Sequence, residues 1–198
     1  MTNTNTLTEK TVAEIVAEDY RTAEIFKRHG IDFCCGGKKT IDKVCAEKKI
    51  DPEKLEHELY LLQTAPVNAQ QNYNDWKLSF LADYIVNVHH KYVDDNLSLI
   101  SEFANKVAKV HGQHNTETVE INTLWKAVSD ELTVHMKKEE LVLFPFIKAL
   151  ERYMSGESKE LPPYHFSSVE NPIRMMEDEH ESVGTLMHQI EKLSNNFT

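Results

Sequence analysis

No run of apolar residues in this chain approaches the ~20 needed to cross a bilayer, so no membrane-spanning segment is expected. Cysteine is scarce. Three in 198 residues, two of them adjacent, cannot form a disulfide framework and read instead as thiols available for redox or metal chemistry in a reducing compartment. Positive charge is also short: 22 Lys and Arg face 32 Asp and Glu, a formal net charge of -10. The basic residues are scattered, which argues against a phosphate-binding surface and excludes nucleic acid as the expected partner. The first ten residues, from Met1 to Lys10, lack the basic start and apolar middle of a secretory signal, so a cytoplasmic location is expected.

What the chain does have is helical periodicity. Val12, Ile15, Val16, Ile25 and Phe26 mark short amphipathic helices punctuated by Gly30 and the Gly36-Gly37 pair. Asp51 is placed to cap a helix that opens at Pro52 and runs through Leu55, Leu59 and Leu62. Thr64 to Asn72 carries no hydrophobic period and reads as a linker. The expected organisation is all-α: a small helical domain over 1–63, a linker over 64–73 and a helical bundle over 74–198. Within the bundle, long helices are predicted at about 75–110, 117–154 and 171–195, joined by loops bearing Gly112 and Pro162-Pro163.

Chemistry concentrates in the second of these helices. His135 and Glu139 stand four residues apart, on one face and about 6 Å from each other, so both can reach one metal ion. They fall on the stripe Leu124, Val128, Glu131, His135, Glu139, Val142, Phe146 and Ala149, which should face a core. An ionised Glu buried there needs a compensating charge, and a cation supplies one. The third helix offers His180 on the seam formed by Ile173, Met176, Val183, Met187 and Ile190. The first offers His89 or His90 beside the arc Leu78, Leu81, Ile85, Val86, Tyr92, Val93, Leu97, Ile100, Phe103 and Val107; periodicity leans towards His89. His111 lies 21 residues beyond His90, about 32 Å along a continuous helix, too far for the same centre. His29, His57, His114, His165 and His188 read as surface or boundary residues. Imidazole with carboxylate suits iron, manganese or zinc, and carboxylates able to bridge favour a two-metal centre inside a bundle.

The segments Asp83 to His90, His135 to Pro145 and Met176 to His180 resemble the iron-ligand helices of the hemerythrin-like domain of iron-sulfur cluster repair di-iron proteins, the Repair of Iron Centres family. Gly30 to Lys38, containing Cys34-Cys35-Gly36-Gly37, resembles that family's double-cysteine domain, and Cys45 falls where some members carry a further cysteine. The resemblance implies a four-helix bundle with a carboxylate-bridged, non-haem di-iron centre. It selects His90 over His89 as the first ligand, makes His90, His135 and His180 terminal ligands, and makes Glu139 a bridging carboxylate. The family's further His-x3-Glu pair, from a fourth helix, has no counterpart before Thr198, so the expectation is a bundle with three helices present that loads iron poorly and either associates through its open apolar face, aggregates or rearranges its helices.

The implied function is repair of iron-sulfur clusters damaged by nitric oxide or oxidative stress, by supplying iron or redox equivalents to damaged client proteins. Cys34 and Cys35 are the thiol candidates, with Lys38 and Lys39 adding charge that favours thiolate. Two rivals share the iron site: reversible binding of dioxygen or nitric oxide, and reduction of nitric oxide at two irons. The thiols argue against a simple carrier, since reversible gas binding needs none.

Overall fold

The computed structural model describes residues 9–33, 36–64, 73–163 and 170–197. Among these the chain is helical with no strand; Thr11 and Thr40 make one isolated bridge. The chain divides into two compact units, Met1–Asp75 and Trp76–Thr198.

The first unit holds α1 (Val12–Glu18), α2 (Thr22–Arg28), α3 (Ile41–Lys48) and α4 (Pro52–Thr64). Thr11 and Glu14 close a capping box at the start of α1, each side chain bonding the other's backbone N–H. α4 opens at Pro52, and Asp51 accepts the Glu53 N–H on Oδ1. Val12, Ile15, Ile25, Phe26, Ile41, Leu55 and Leu59 bury themselves in one core with Cys45. The predicted linker falls largely on residues 65–72, outside the described residues. The first unit extends to Asp75 because Tyr73 packs edge-on against Tyr20 at 5.1 Å and Asn74 Nδ2 donates to the Ala17 carbonyl at 3.1 Å.

Among the described residues the second unit consists of three long helices. The first runs through α5 (Leu78–Tyr84), a π segment (Ile85–His90) and α6 (Lys91–His111). The second runs through α7 (Glu117–Lys138), a π segment (Glu139–Leu143) and α8 (Phe144–Met154). The third is α9 (Glu170–Leu193). α7 packs against both α6 and α9, and α5 against α8. The turn from α6 to α7 is tight at Gly112, where a Cβ would meet the Ala108 carbonyl oxygen at 2.4 Å and Val119 at 2.6 Å.

The apolar arc expected to line the core on α6 is only partly enclosed. Leu97 is buried, whereas Tyr92 (69% exposed), Phe103 (57%) and Val107 (44%) lie in solvent. Where α6 packs on α7, Ser101 accepts a hydrogen bond from Trp125 Nε1 at 2.9 Å.

Candidate metal centre

His90 closes one π segment and Glu139 opens the other. A π turn replaces i→i+4 bonding by i→i+5, so residues advance around the axis by less than the α-helical 100°. In the second long helix this changes which residues face inward. Leu143 and Phe144 are buried, while Val142 is 49% exposed and Phe146 half-buried, against the stripe drawn from strict α periodicity. Glu131, also on that stripe, is exposed. In the first long helix the wide turn buries His90 and leaves His89 exposed, T-stacked on Tyr84 at 5.4 Å.

The structure brings His135, Glu139 and His180 together, one donor atom from each lying within 4.8 Å of the others. His90 joins through Glu139, whose Oε2 stands 2.9 Å from His90 Nε2 and 3.5 Å from His135 Nε2. The Nε2 atoms of His135 and His180 face each other at 2.8 Å. Two imidazole nitrogens that close repel unless a proton or cation lies between their lone pairs. The donor set therefore suits a cation: the Nε2 atoms of His90 and His135 turn towards one carboxylate and that of His180 meets His135, in the chemistry that iron, manganese and zinc accept. The outer nitrogens are held from behind. Glu140 Oε1 lies 3.0 Å from His90 Nδ1, and Glu179 Oε2 lies 2.8 Å from His135 Nδ1. Lysines grip both carboxylates, Lys137 on Glu140 at 2.9 Å and Lys138 on Glu179. Phe144 stacks on the His90 ring, with planes inclined at 21°. His111 ends α6, whose 21 residues separate it from His90 by about 32 Å, so it takes no part.

Hydrogen bonding to Glu139 raises the His135 pKa above the usual histidine value against the opposing effect of burial, with Glu179 adding to the rise. Burial pushes the Glu139 carboxyl up, but hydrogen bonds and charge from His135 and His90 outweigh it and leave the group below its ordinary value. Burial and the neighbouring His135 lower His180, although that residue is exposed overall. The site is therefore enclosed around His90, His135 and Glu139 and open at His180.

Cys34 and Cys35 lie outside the described residues. The glycines that follow them are constrained: a Cβ on Gly37 would meet the Phe33 carbonyl oxygen at 2.4 Å and Ala13 at 2.9 Å. Gly37 and Lys39 accept the Ala13 and Val12 N–H groups, fastening this loop to the start of α1. Cys45 is buried, and burial followed by the charge of Asp42 raises its thiol pKa, which favours the protonated form. Sequence reasoning missed Glu140 and Glu179. Each directly neighbours a candidate ligand in the chain, and that adjacency was the available signal.

Residues 81–198 match the family model described as the hemerythrin HHE cation binding domain, and residues 8–63 match one described as a domain of unknown function, DUF542. The fold and site thus define a hemerythrin-type cation-binding helical protein with a small helical domain in front. Over 178 residues the chain is 33% identical to the iron-sulfur cluster repair protein YtfE of Yersinia pestis strain Pestoides F, an alignment covering 90% of this chain and 74% of the relative. The YtfE of Yersinia pseudotuberculosis serotype O:1b strain IP 31758 aligns with the same identity and coverage. The chain belongs to the iron-sulfur cluster repair family, the Repair of Iron Centres proteins. No helix among the described residues is long and apolar enough to cross a membrane.

Proposed function

We propose that this protein repairs iron-sulfur clusters damaged by nitric oxide or oxidants, using a non-haem di-iron centre in the second unit. The observation that carries the reading is the clustering of His90, His135 and His180 around Glu139, in a chain one-third identical to proteins named for cluster repair. In this account the three histidines are terminal ligands, Glu139 is the bridging carboxylate, and the clients are damaged iron-sulfur proteins in the cytoplasm. When bound, iron supplies one-electron redox equivalents and a store of ferrous ion for a depleted cluster.

The residues themselves govern uptake and release. Glu140 and Glu179 keep protons on the outer nitrogens of His90 and His135, which leaves the Nε2 positions for metal. Hydrogen bonding to Glu139 makes His135 hold its proton more firmly than a free histidine, so a cation competes with that proton for the ring. The open side at His180 gives the donor set access to solvent. The thiols of Cys34 and Cys35 serve transfer to the client from a separate unit.

A repair assay tests this. Incubation of the iron-loaded protein with a [4Fe-4S] enzyme inactivated by nitric oxide should restore the client's activity. Cys34→Ser with Cys35→Ser should keep the protein's iron and slow that recovery. Recovery at the wild-type rate would return the thiols to a packing role, and no recovery with either protein would reject the repair function.

A further inference from the structure

We propose that Glu140 is a positioning residue for the metal centre, orienting His90 from behind so that its Nε2 faces the metal position. The proposal rests on the reading of His90 as a ligand. Glu139 and Glu140 are consecutive, yet they take opposite edges of one imidazole, Oε2 of Glu139 at 2.9 Å from Nε2 and Oε1 of Glu140 at 3.0 Å from Nδ1. Neighbours on an α-helix diverge by about 100°. Here both lie at the start of a π segment, where the angle between successive side chains is smaller.

Each Glu140 oxygen has its own partner. Lys137 Nζ donates to Oε2 at 2.9 Å, leaving Oε1 for the histidine. The carboxylate is therefore tethered on its outer side, where Lys137 is 56% exposed, and applied to a ring that is itself only 7% exposed. Phe144 covers one face of that ring. A carboxylate can only accept, so Nδ1 carries the proton it shares with Glu140, as Nε2 does opposite Glu139; a cation seated beside Glu139 would displace only the Nε2 proton, leaving Nδ1 protonated and the lone pair at Nε2. Without Glu140 the proton is free to sit on Nε2, where it blocks the donor, and the ring is free to turn. Loss of such a carboxylate behind a ligating histidine typically weakens metal binding about 10- to 100-fold.

The test compares Glu140→Ala, Glu140→Gln, Lys137→Ala and His90→Ala. Anaerobic Fe(II) affinity is measured by chelator competition, and ¹⁵N-histidine NMR of the zinc-loaded protein reports the ring protons. Glu140→Ala should weaken Fe(II) binding about 10- to 100-fold and remove the slowly exchanging Nδ1–H signal of His90, with helix content unchanged. Glu140→Gln, which retains an acceptor oxygen, should recover most of the affinity and the signal. Lys137→Ala should fall between wild type and Glu140→Ala. Wild-type affinity and an intact Nδ1–H signal in Glu140→Ala, with binding lost in His90→Ala, would overturn the positioning role and leave the ligand reading standing. Wild-type affinity in both Glu140→Ala and His90→Ala would overturn the ligand reading and the proposal with it.

Discussion

The choice between His89 and His90 shows what a single residue's surroundings decide. The two differ by one step of a helix, and α periodicity favours the one the structure leaves exposed. His90 is buried because the turn that ends at it is wider than an α-helical turn, a backbone feature that residue spacing does not encode. The proximity of His135 and Glu139, separated by ordinary helical spacing, was legible directly. The contacts of Glu140 and Glu179 with His90 and His135 were not, because each depends on a neighbour from another helix. In the first unit, Arg21 clasps Asp19 with Nε on Oδ1 at 2.9 Å and a terminal nitrogen on Oδ2 at 2.7 Å. Hydrogen bonding from Arg21 lowers the Asp19 pKa despite partial burial. A carboxyl depressed in the folded state stabilises above its unfolded pKa of about 3.9 and loses that contribution as pH falls through its folded value. Thermal melts should therefore separate Arg21→Ala from wild type at pH 7 and converge at pH 2; a gap that persists at pH 2 would assign the loss to packing.

At the scale of elements, the existence and approximate ends of the helices followed from hydrophobic period, capping residues and proline placement. Asp51-Pro52 opens α4 as their chemistry dictates. The inward face of the second long helix was legible as far as Glu139 and then lost, since the π segment moves Leu143 and Phe144 into the core in place of Val142 and Phe146. That displacement is testable. Deleting Leu141, which is 72% exposed within the segment, should let the wide turn relax to regular α-helix. Circular dichroism should show helical signal at or above wild type, while Fe(II) affinity falls about tenfold or more because Glu139 and Glu140 no longer reach His90 together. Unchanged affinity would show that the wide turn does not place the ligands.

For the whole molecule, hydrophobic periodicity and the aperiodic stretch from Thr64 to Asn72 indicated a helical chain of two parts, and the Cys-Cys-Gly-Gly segment together with the histidine-bearing helices indicated the family. The apolar arc of α6 was legible as apolar but not as exposed, because periodicity identifies a face without saying what covers it. The central claim is that His135 and Glu139, on a preformed helix face, hold iron with His90 and His180. The direct measurement is iron bound per chain after anaerobic loading and desalting, for wild type, His135→Ala, Glu139→Ala and His111→Ala. Iron should drop sharply in the first two variants with helical signal retained, and stay at the wild-type level in His111→Ala. Wild-type iron in both His135→Ala and Glu139→Ala, or an equal loss in His111→Ala, would contradict that claim.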